Sequence, residues 1–414
     1  MERLAHGVFL LLLAGTVACN SNRSSSDKHV QRAAAQRVET RVGVTREQAE
    51  AFGEALCAAF YAGDLDQLAE LIAYGEIFQS GLSNIEIPGP MRSKLVKDAV
   101  EEARAVGMLH DFATEAVAGG SIKVLRVHGS DRQRQVTVRV AGGRIPFEHY
   151  DFLLTADRRG RVFAKDFKTL SSGEWGSNVT ARILVARLAA EGHSMGAEVP
   201  AADRLLAEHL DELALARRAV VAGRPNAALD MIEALPPALL KQRLVIAQRI
   251  SIATAAGDAE GLQRAFRVAM DAYPNDAAMA LVLYSHYERQ KDHQQALQAL
   301  DRLQSLTPPD PFLDTLRSAA LAGVGRLREA RQLIDQVVAI ESDLQSTHLV
   351  RLEILLGQRD FAAAAEQIVQ LESRFGLDVE DLLLADSAEY ARFASSRHYR
   401  RMLARLEGAS PTVN

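Results

Sequence analysis

Residues 223–235 read GRPNAALDMIEAL, and the same figure returns four more times: 257–269 (GDAEGLQRAFRVA), 291–303 (KDHQQALQALDRL), 325–337 (GRLREARQLIDQV) and 359–371 (RDFAAAAEQIVQL). Each segment opens on a two-residue break, and each break begins 34 residues after the one before it. Five residues after the opening position stand Ala228, Leu262, Ala296, Ala330 and Ala364. Four further on come Ile232, Phe266, Leu300, Ile334 and Ile368, and three beyond those Leu235, Ala269, Leu303, Val337 and Leu371. Steps of four and three residues put all three positions on one helix face. No insertion interrupts the five units. A helix–turn–helix unit of this length cannot bury its apolar face alone, so consecutive units must stack into a solenoid.

The 34-residue period with a small residue after the turn resembles the tetratricopeptide repeat (TPR) family. Pro274 and Pro308 fill that family's closing proline position, Tyr287 its mid-helix tyrosine and Phe361 its late aromatic position. Leu262 stands where the family has alanine, and three units lack the proline. The resemblance covers residues 209–378 and implies five units that recruit a protein partner. In such solenoids the first helix of each unit lines the concave side. Counting back from the small residues gives one groove row of Leu213, Ala247, Leu281, Thr315 and Leu349. The next row is Arg217, Ser251, Ser285, Ala319 and Glu353. The Lys and Asn clamp that chaperone-binding members carry for a peptide carboxylate is absent from these rows. The groove is small and apolar, suited to a helix or an extended peptide, although some of its residues have packing between helices as an equal reading. Residues 379–407 continue as helix with Tyr390, Phe393, Tyr399 and Leu403 and read as the cap that hides the last unit's apolar face, and 408–414 as a tail.

The fold class is multidomain: α+β first, all-α after. Thr45-Arg46-Glu47-Gln48 is a capping-box pattern opening a helix that stops near Gly63-Asp64. A second helix is expected from Leu65 to Ala73 and a third from Met91 to Met108. The period then changes to two, and 121–128, 135–141, 147–155 and 162–170 read as four strands with turn signals between them. Helices followed by antiparallel strands over 44–175, with the break Phe60-Tyr61-Ala62-Gly63-Asp64-Leu65, resemble the NTF2-like (SnoaL-like) cone fold. That resemblance implies a scaffold domain or a small pocket enzyme. On the third strand His149 and Asp151 share a face with Phe147 and Leu153, and if that face lines the cone they form a pair for proton transfer of the isomerase or dehydratase kind. Asp166 reads as a surface or sheet-end contact and Trp175 as a plug at the joint with the next helix. Residues 176–208 are expected to be a connecting helix and linker.

The chain opens MERLAHGVFLLLLAGTVACN. Its apolar run is too short to span a bilayer and fits a signal peptide over 1–18. Thr16-Val17-Ala18-Cys19 resembles the lipobox of bacterial lipoproteins, with Thr16 where leucine is usual; plain cleavage after Ala18 is the competing reading. The resemblance implies acylation at Cys19, with Asn20 in place of the aspartate that retains lipoproteins at the inner membrane, hence the periplasmic face of an outer membrane. Polar residues with scattered arginines over 19–43 read as a tether.

Of 414 residues, 48% are hydrophobic and 24% charged, with 48 basic and 53 acidic side chains and a net charge of -5. That balance excludes a broadly basic, DNA-coating protein. Two cysteines exclude a disulfide scaffold. There is no P-loop, no dinucleotide-binding glycine pattern and no metal-spaced histidine pair, so neither a cofactor nor a metal is expected. The sequence reads as an exported, lipid-anchored, non-catalytic adaptor binding an envelope protein or peptide in its groove, with no nucleic-acid partner. The alternative is a small-molecule-binding or enzymatic cone domain with the solenoid as its recruiting module.

Overall fold

A computed structural model describes residues 43–83, 85, 87–106, 120–142, 147–190, 200–377 and 388–409. The expected signal segment, Cys19, the tether to residue 42, most of the linker and the first residues of the expected cap lie outside the described residues. The chain divides into two compact units, Met1–Met279 and Ala280–Asn414.

Unit 1 begins with α1 (Arg46–Ala62). Its capping box forms: the Gln48 amide donates to Thr45 Oγ1 at 3.2 Å, and the Thr45 amide donates to Gln48 Oε1 at 2.9 Å. Gly63 ends the helix at φ 63°, a left-handed conformation that glycine adopts without steric penalty. Asp64 then accepts from the Gln67 amide and starts α2 (Leu65–Leu71). The sequence reading carried α2 to Ala73 and missed α3 (Tyr74–Gly81), which has no side-chain cap to announce it. Ile72, between the two helices, instead makes a parallel bridge to Ala164. The third expected helix is α4 (Gly89–Val106).

Four strands follow as an antiparallel meander in the order β1-β2-β3-β4. They are β1 (Ser121–His128), β2 (Gln135–Ala141), β3 (Phe147–Ala156) and β4 (Val162–Thr169). Val138 pairs with Tyr150, and Tyr150 with Thr169. Register shifts at Val124/Arg126 and Leu153/Leu154 bend the outer strands. One face of the sheet packs on α1: Phe52, Leu56 and Phe60 are buried with Val136, Val138, Val140, Tyr150 and Phe152. The approach is close, since a Cβ on Gly53 would stand 2.7 Å from Val124 Cγ2.

Of the two readings of Asp166 the surface one falls: it is buried where the sheet meets the next helix, as a cap for α5 (Gly176–Ala190). Its Oδ1 accepts from the Ser177 amide at 3.1 Å and its Oδ2 from the Ser177 hydroxyl at 2.6 Å. Helix α5 packs on α3, where Gly81 lies so near that a Cβ would stand 2.5 Å from the Ser177 carbonyl oxygen. Trp175 is half-buried beside Lys168 at this joint. Helix α6 (Ala201–Glu208) leads into the repeats, its Leu206 buried among Leu213, Ile232 and Val245.

The repeats are helix pairs. Unit 1 contains α7 (Leu210–Val221) with α8 (Pro225–Glu233), and α9 (Arg243–Ala256) with α10 (Ala259–Ala272). Helix α11 (Ala277–Arg289) straddles the division between the units. Unit 2 continues with α12 (His293–Leu306), α13 (Pro311–Gly323), α14 (Leu327–Ile340), α15 (Gln345–Gly357) and α16 (Phe361–Phe375). Within each unit the second helix of a pair packs on the first helix of the next, as α8 on α9, α12 on α13 and α14 on α15. All fifteen residues of the three periodic rows are buried. Helices α17 (Ala388–Ala394) and α18 (Arg397–Ala409) close unit 2, with Phe393 and Met402 buried against Ile368 and Leu371.

Candidate functional site

The turn within each pair sets how the first helices are presented. At all five turns the chain passes through a left-handed residue: Gly223, Gly257, Lys291, Gly325 and Arg359. The next residue's amide reaches back to a carbonyl five residues earlier: Arg224 to Ala219, Asp258 to Ala253, Asp292 to Tyr287, Arg326 to Leu321 and Asp360 to Leu355, at 2.8–3.0 Å. This is a Schellman-type end, repeated at the sequence period. Asp258, Asp292 and Asp360 also cap the second helix, accepting from the amides of Gly261, Gln295 and Ala363.

The two groove rows separate in the structure. In the first, Leu213, Leu281 and Thr315 are buried, and Thr315 exchanges a 2.9 Å hydrogen bond with Thr347. Ala247 and Leu349 are half-buried. The second row is more open. In unit 1, Arg217 and Ser251 are half-buried; in unit 2, Ser285 and Ala319 are half-buried and Glu353 is exposed. Three residues beyond Ser285 on the same helix face stands Glu288, which the sequence reading passed over. Its charge acts on Glu353, whose carboxyl is raised above its ordinary value by burial and by Glu288. It acts also on Tyr284, a phenol that burial and Glu288 push above its ordinary range. Tyr390 on α17 is pushed up to about 12 by burial and by Glu353. Only Tyr284 and Glu288, four residues apart on one helix, were within reach of a local pattern, because Glu353 is 65 residues from Glu288 and 37 from Tyr390.

His286 is buried against the Tyr287 ring, and His293 Nδ1 lies 3.7 Å from Glu288 Oε2, so the two histidines seven residues apart have separate surroundings. Among the described residues no group of three His, Cys, Asp or Glu side chains is placed to hold a metal ion.

In the N-terminal domain, His149 and Asp151 do share a face, but it is the face turned away from α1. The side chains turned toward the helix are Tyr150 and Phe152, and Phe52 meets Phe152 edge-on at 6.0 Å. His149 is buried with its ring 4.7 Å from that of Phe147. Asp151 accepts from the Thr137 hydroxyl and lies 3.9 Å from His128 Nε2, across from Lys168. Glu148, on the apolar face at the end of the sheet, was not singled out in the sequence. It is 2% exposed, accepts from the amides of His149 at 3.0 Å and Ser171 at 3.1 Å, and burial pushes its carboxyl up to about 7.

No family model matches this chain, and no curated protein matches it. Among solved structures, it is similar to a Podosopora anserina protein described as a kinesin light chain with nearly identical TPR-like repeats. The identity is 16%, over 41% of this chain and 95% of that one, with a TM-score of 0.34. It is also similar to PilW, a widely conserved type IV pilus biogenesis factor, at 15% identity over 49% of this chain and 93% of that one, with a TM-score of 0.36. The repeat architecture rests on this chain's own helices: paired at one period, turning through a left-handed residue every 34 positions.

Proposed function

We propose that this protein is a non-catalytic adaptor of the bacterial cell envelope that holds a protein partner at second-row positions of its repeats. The observation that carries the reading is the contrast between two sets of positions at one period. The rows after each turn are closed by packing, whereas at the same 34-residue period Arg217 and Ser251 in unit 1 and Ser285 and Ala319 in unit 2 are only half-buried and Glu353 is exposed. Helical repeats of this kind use such a surface for partners. Cys19, with the preceding Thr16-Val17-Ala18, supports lipid anchoring and a place at the outer membrane facing the periplasm. No helix among the described residues is long and apolar enough to cross a membrane. For the N-terminal domain the cone reading draws support from helices α1 to α4, the bent meander and the Ile72–Ala164 bridge.

The test is photo-crosslinking in cells from single positions of the full chain. Ser251, Ser285 and Ala319 are compared with Val221 and Ile340, which are exposed elsewhere on repeat helices. A partner that crosslinks from the row positions alone supports the adaptor. The same species from all five positions, or none from the row, refutes it. The enzymatic alternative has one observation in its favour, the buried Glu148 with a carboxyl titrating near neutrality. Its test is a screen for small molecules whose binding shifts the Glu148 titration measured by NMR; no such molecule would retire it.

A further inference from the structure

In unit 2 a chain of hydrogen bonds runs from a half-exposed ion pair to a buried histidine. Arg351 on α15 donates from Nε to Asp335 Oδ1 on α14 at 2.6 Å, and Asp335 Oδ2 accepts from Arg331 Nε at 2.6 Å. The pairing has a periodic counterpart: 34 residues earlier Arg317 on α13 donates to Asp301 on α12. The later pair alone is carried inward to a histidine. Arg351 also donates to Gln367 Oε1 on α16, the Gln367 amide nitrogen donates to His348 Nδ1 at 2.9 Å, and His348 Nε2 donates to the Ser342 carbonyl at 2.7 Å. His348 is 2% exposed and Gln367 is fully buried. A carbonyl that can only accept stands at one end of this chain and a guanidinium that can only donate at the other, which leaves one way to place the protons between them. The position 34 residues before His348 is Asp314, which accepts from Gln304 and takes no part in such a chain.

We infer that His348 makes the last repeat pair of unit 2, α15 with α16, a latch that loosens in acid. A second ring proton can go only to Nδ1, where it meets the Gln367 amide nitrogen, donor against donor. Turning the Gln367 amide relieves that contact but sets its nitrogen against the Arg351 guanidinium, which Asp335 holds in place. Either way a buried group of α16 loses its partner once the imidazole is charged. The surroundings act in the same sense. The Phe375 ring lies 5.3 Å from that of His348. Burial holds the imidazole below its ordinary value, with the charges of Arg374 on α16 and Arg351 adding to it and the Ser342 carbonyl and Asp343 opposing it. Helix α14 brings Asp335 and Arg331, bonded to each other, and ends at the buried Glu341. On α13 Asp314 and Arg317 are engaged with Gln304 and Asp301, and on α17 Glu389 pairs with Arg392 while Tyr390 interacts with Glu353. An imidazole that is neutral in the closed pair and free to charge in the open one favours closure above about pH 6.5, and that contribution is lost as the pH falls. Helix α15 also carries Leu349 and Glu353 of the two groove rows. The effect on a bound partner rests on the adaptor reading; the latch itself does not.

The test is native-state hydrogen exchange on the full chain, read as protection factors so that the pH dependence of exchange itself drops out. Between about pH 7.5 and about pH 5, protection in α15 and α16 is expected to fall about five- to thirtyfold, the upper figure being the limit for a histidine that stays neutral at pH 5 against an ordinary 6.5. Protection in α12 and α13, whose Arg317–Asp301 pair reaches no histidine, should change less than about twofold. Gln367→Glu is near-isosteric, keeps an acceptor for Arg351 and gives a protonated Nδ1 an acceptor as well, so acid should no longer lower protection in the pair. The NMR titration of His348 in the unsubstituted chain needs no variant and should have its midpoint below about 6.5. A midpoint at or above that value, no fall in α15 and α16, an equal fall in α12 and α13, or an undiminished fall in Gln367→Glu overturns the proposal. None of these readouts involves a partner. Crosslinks from Ser285 and Ala319 can therefore fail while the latch holds, and the latch can fail while they persist.

Discussion

Two of the five repeat turns use the wrong residue for their backbone, and replacing them should stabilise the C-terminal unit. Lys291 sits at φ 56° and Arg359 at φ 60°, where the other three turns have glycine. A side chain in the left-handed region carries a penalty of about 1–2 kcal/mol from contact between Cβ and the backbone. Glycine removes that penalty but gives back about 0.5–1 kcal/mol through its freer unfolded state. Lys291→Gly and Arg359→Gly should each gain about 0.5–1 kcal/mol. Neither Lys291 nor Arg359 has an ion pair among the described residues, so little is lost with the side chain. The repeats need not unfold together, and the one tryptophan, Trp175, reports on unit 1. The assay is therefore native-state hydrogen exchange in α12 and α16. A gain of that size slows exchange by about two- to fivefold in the helix after the substituted turn. Gly325→Lys is the mirror control and should speed exchange in α14 by a similar factor. Faster exchange in Lys291→Gly, or none slower in either variant, would refute the view that these turns store backbone strain.

Three further outcomes follow from unit 1. Glu148 has a folded-state carboxyl near 7 against an ordinary 4.5, so the folded state binds the extra proton between those values. Its contribution is whole below about pH 4.5 and is lost as pH rises through 7, on the order of 3 kcal/mol; urea midpoints followed by Trp175 fluorescence should fall across that window, and Glu148→Gln should flatten the fall. Asp166→Ala removes both bonds to Ser177 and should cost about 1–2 kcal/mol in the same urea assay; a change within error would mean the Asp166 cap on α5 is idle. Gly81→Ala sets a methyl group against the Ser177 carbonyl at 2.5 Å, a backbone atom that cannot rotate away, so a loss of about 1–3 kcal/mol is expected and an unchanged melting temperature would contradict the close packing of α3 on α5.

What was legible in the sequence is what packing repeats. Fifteen positions after the five turns carry the period because each must fill the same gap between helices, and all fifteen are buried. Strands 121–128 and 135–141 were legible to the residue, because alternation and flanking glycines or polar turns coincide there. Helix α3 was not, because Ala73 at its N-cap offers no side-chain hydrogen bond and Gly75 stands in its first turn. Which face of β3 meets α1 was left open by the sequence, and the structure turns His149 and Asp151 away from the helix. Period two tells which residues share a face but not which face meets α1, and Phe147, His149 and Asp151 are mixed enough in polarity to fit either. Asp166 and Glu148 were missed as buried groups because their partners, Ser177 and Ser171, come from a later loop and helix start with no local signal.

The groove row was the least legible part, and for a reason that bears on its use. Positions constrained by packing must resemble one another from unit to unit; positions free of packing need not. Along the second row the residues are Arg217, Ser251, Ser285, Ala319 and Glu353, a cation, two hydroxyls, a methyl and an anion in structurally matching places. In unit 2 a half-buried hydroxyl, a half-buried methyl and an exposed anion stand at these places, and Glu353 makes no hydrogen bond or ion pair among the described residues, so packing does not dictate its charge. A charge that the fold does not use is available to select what a partner segment presents opposite it. If the row binds a segment, Glu353→Arg should weaken capture of the native partner while leaving melting unchanged. Capture that survives the substitution would mean that the charge at Glu353 selects nothing.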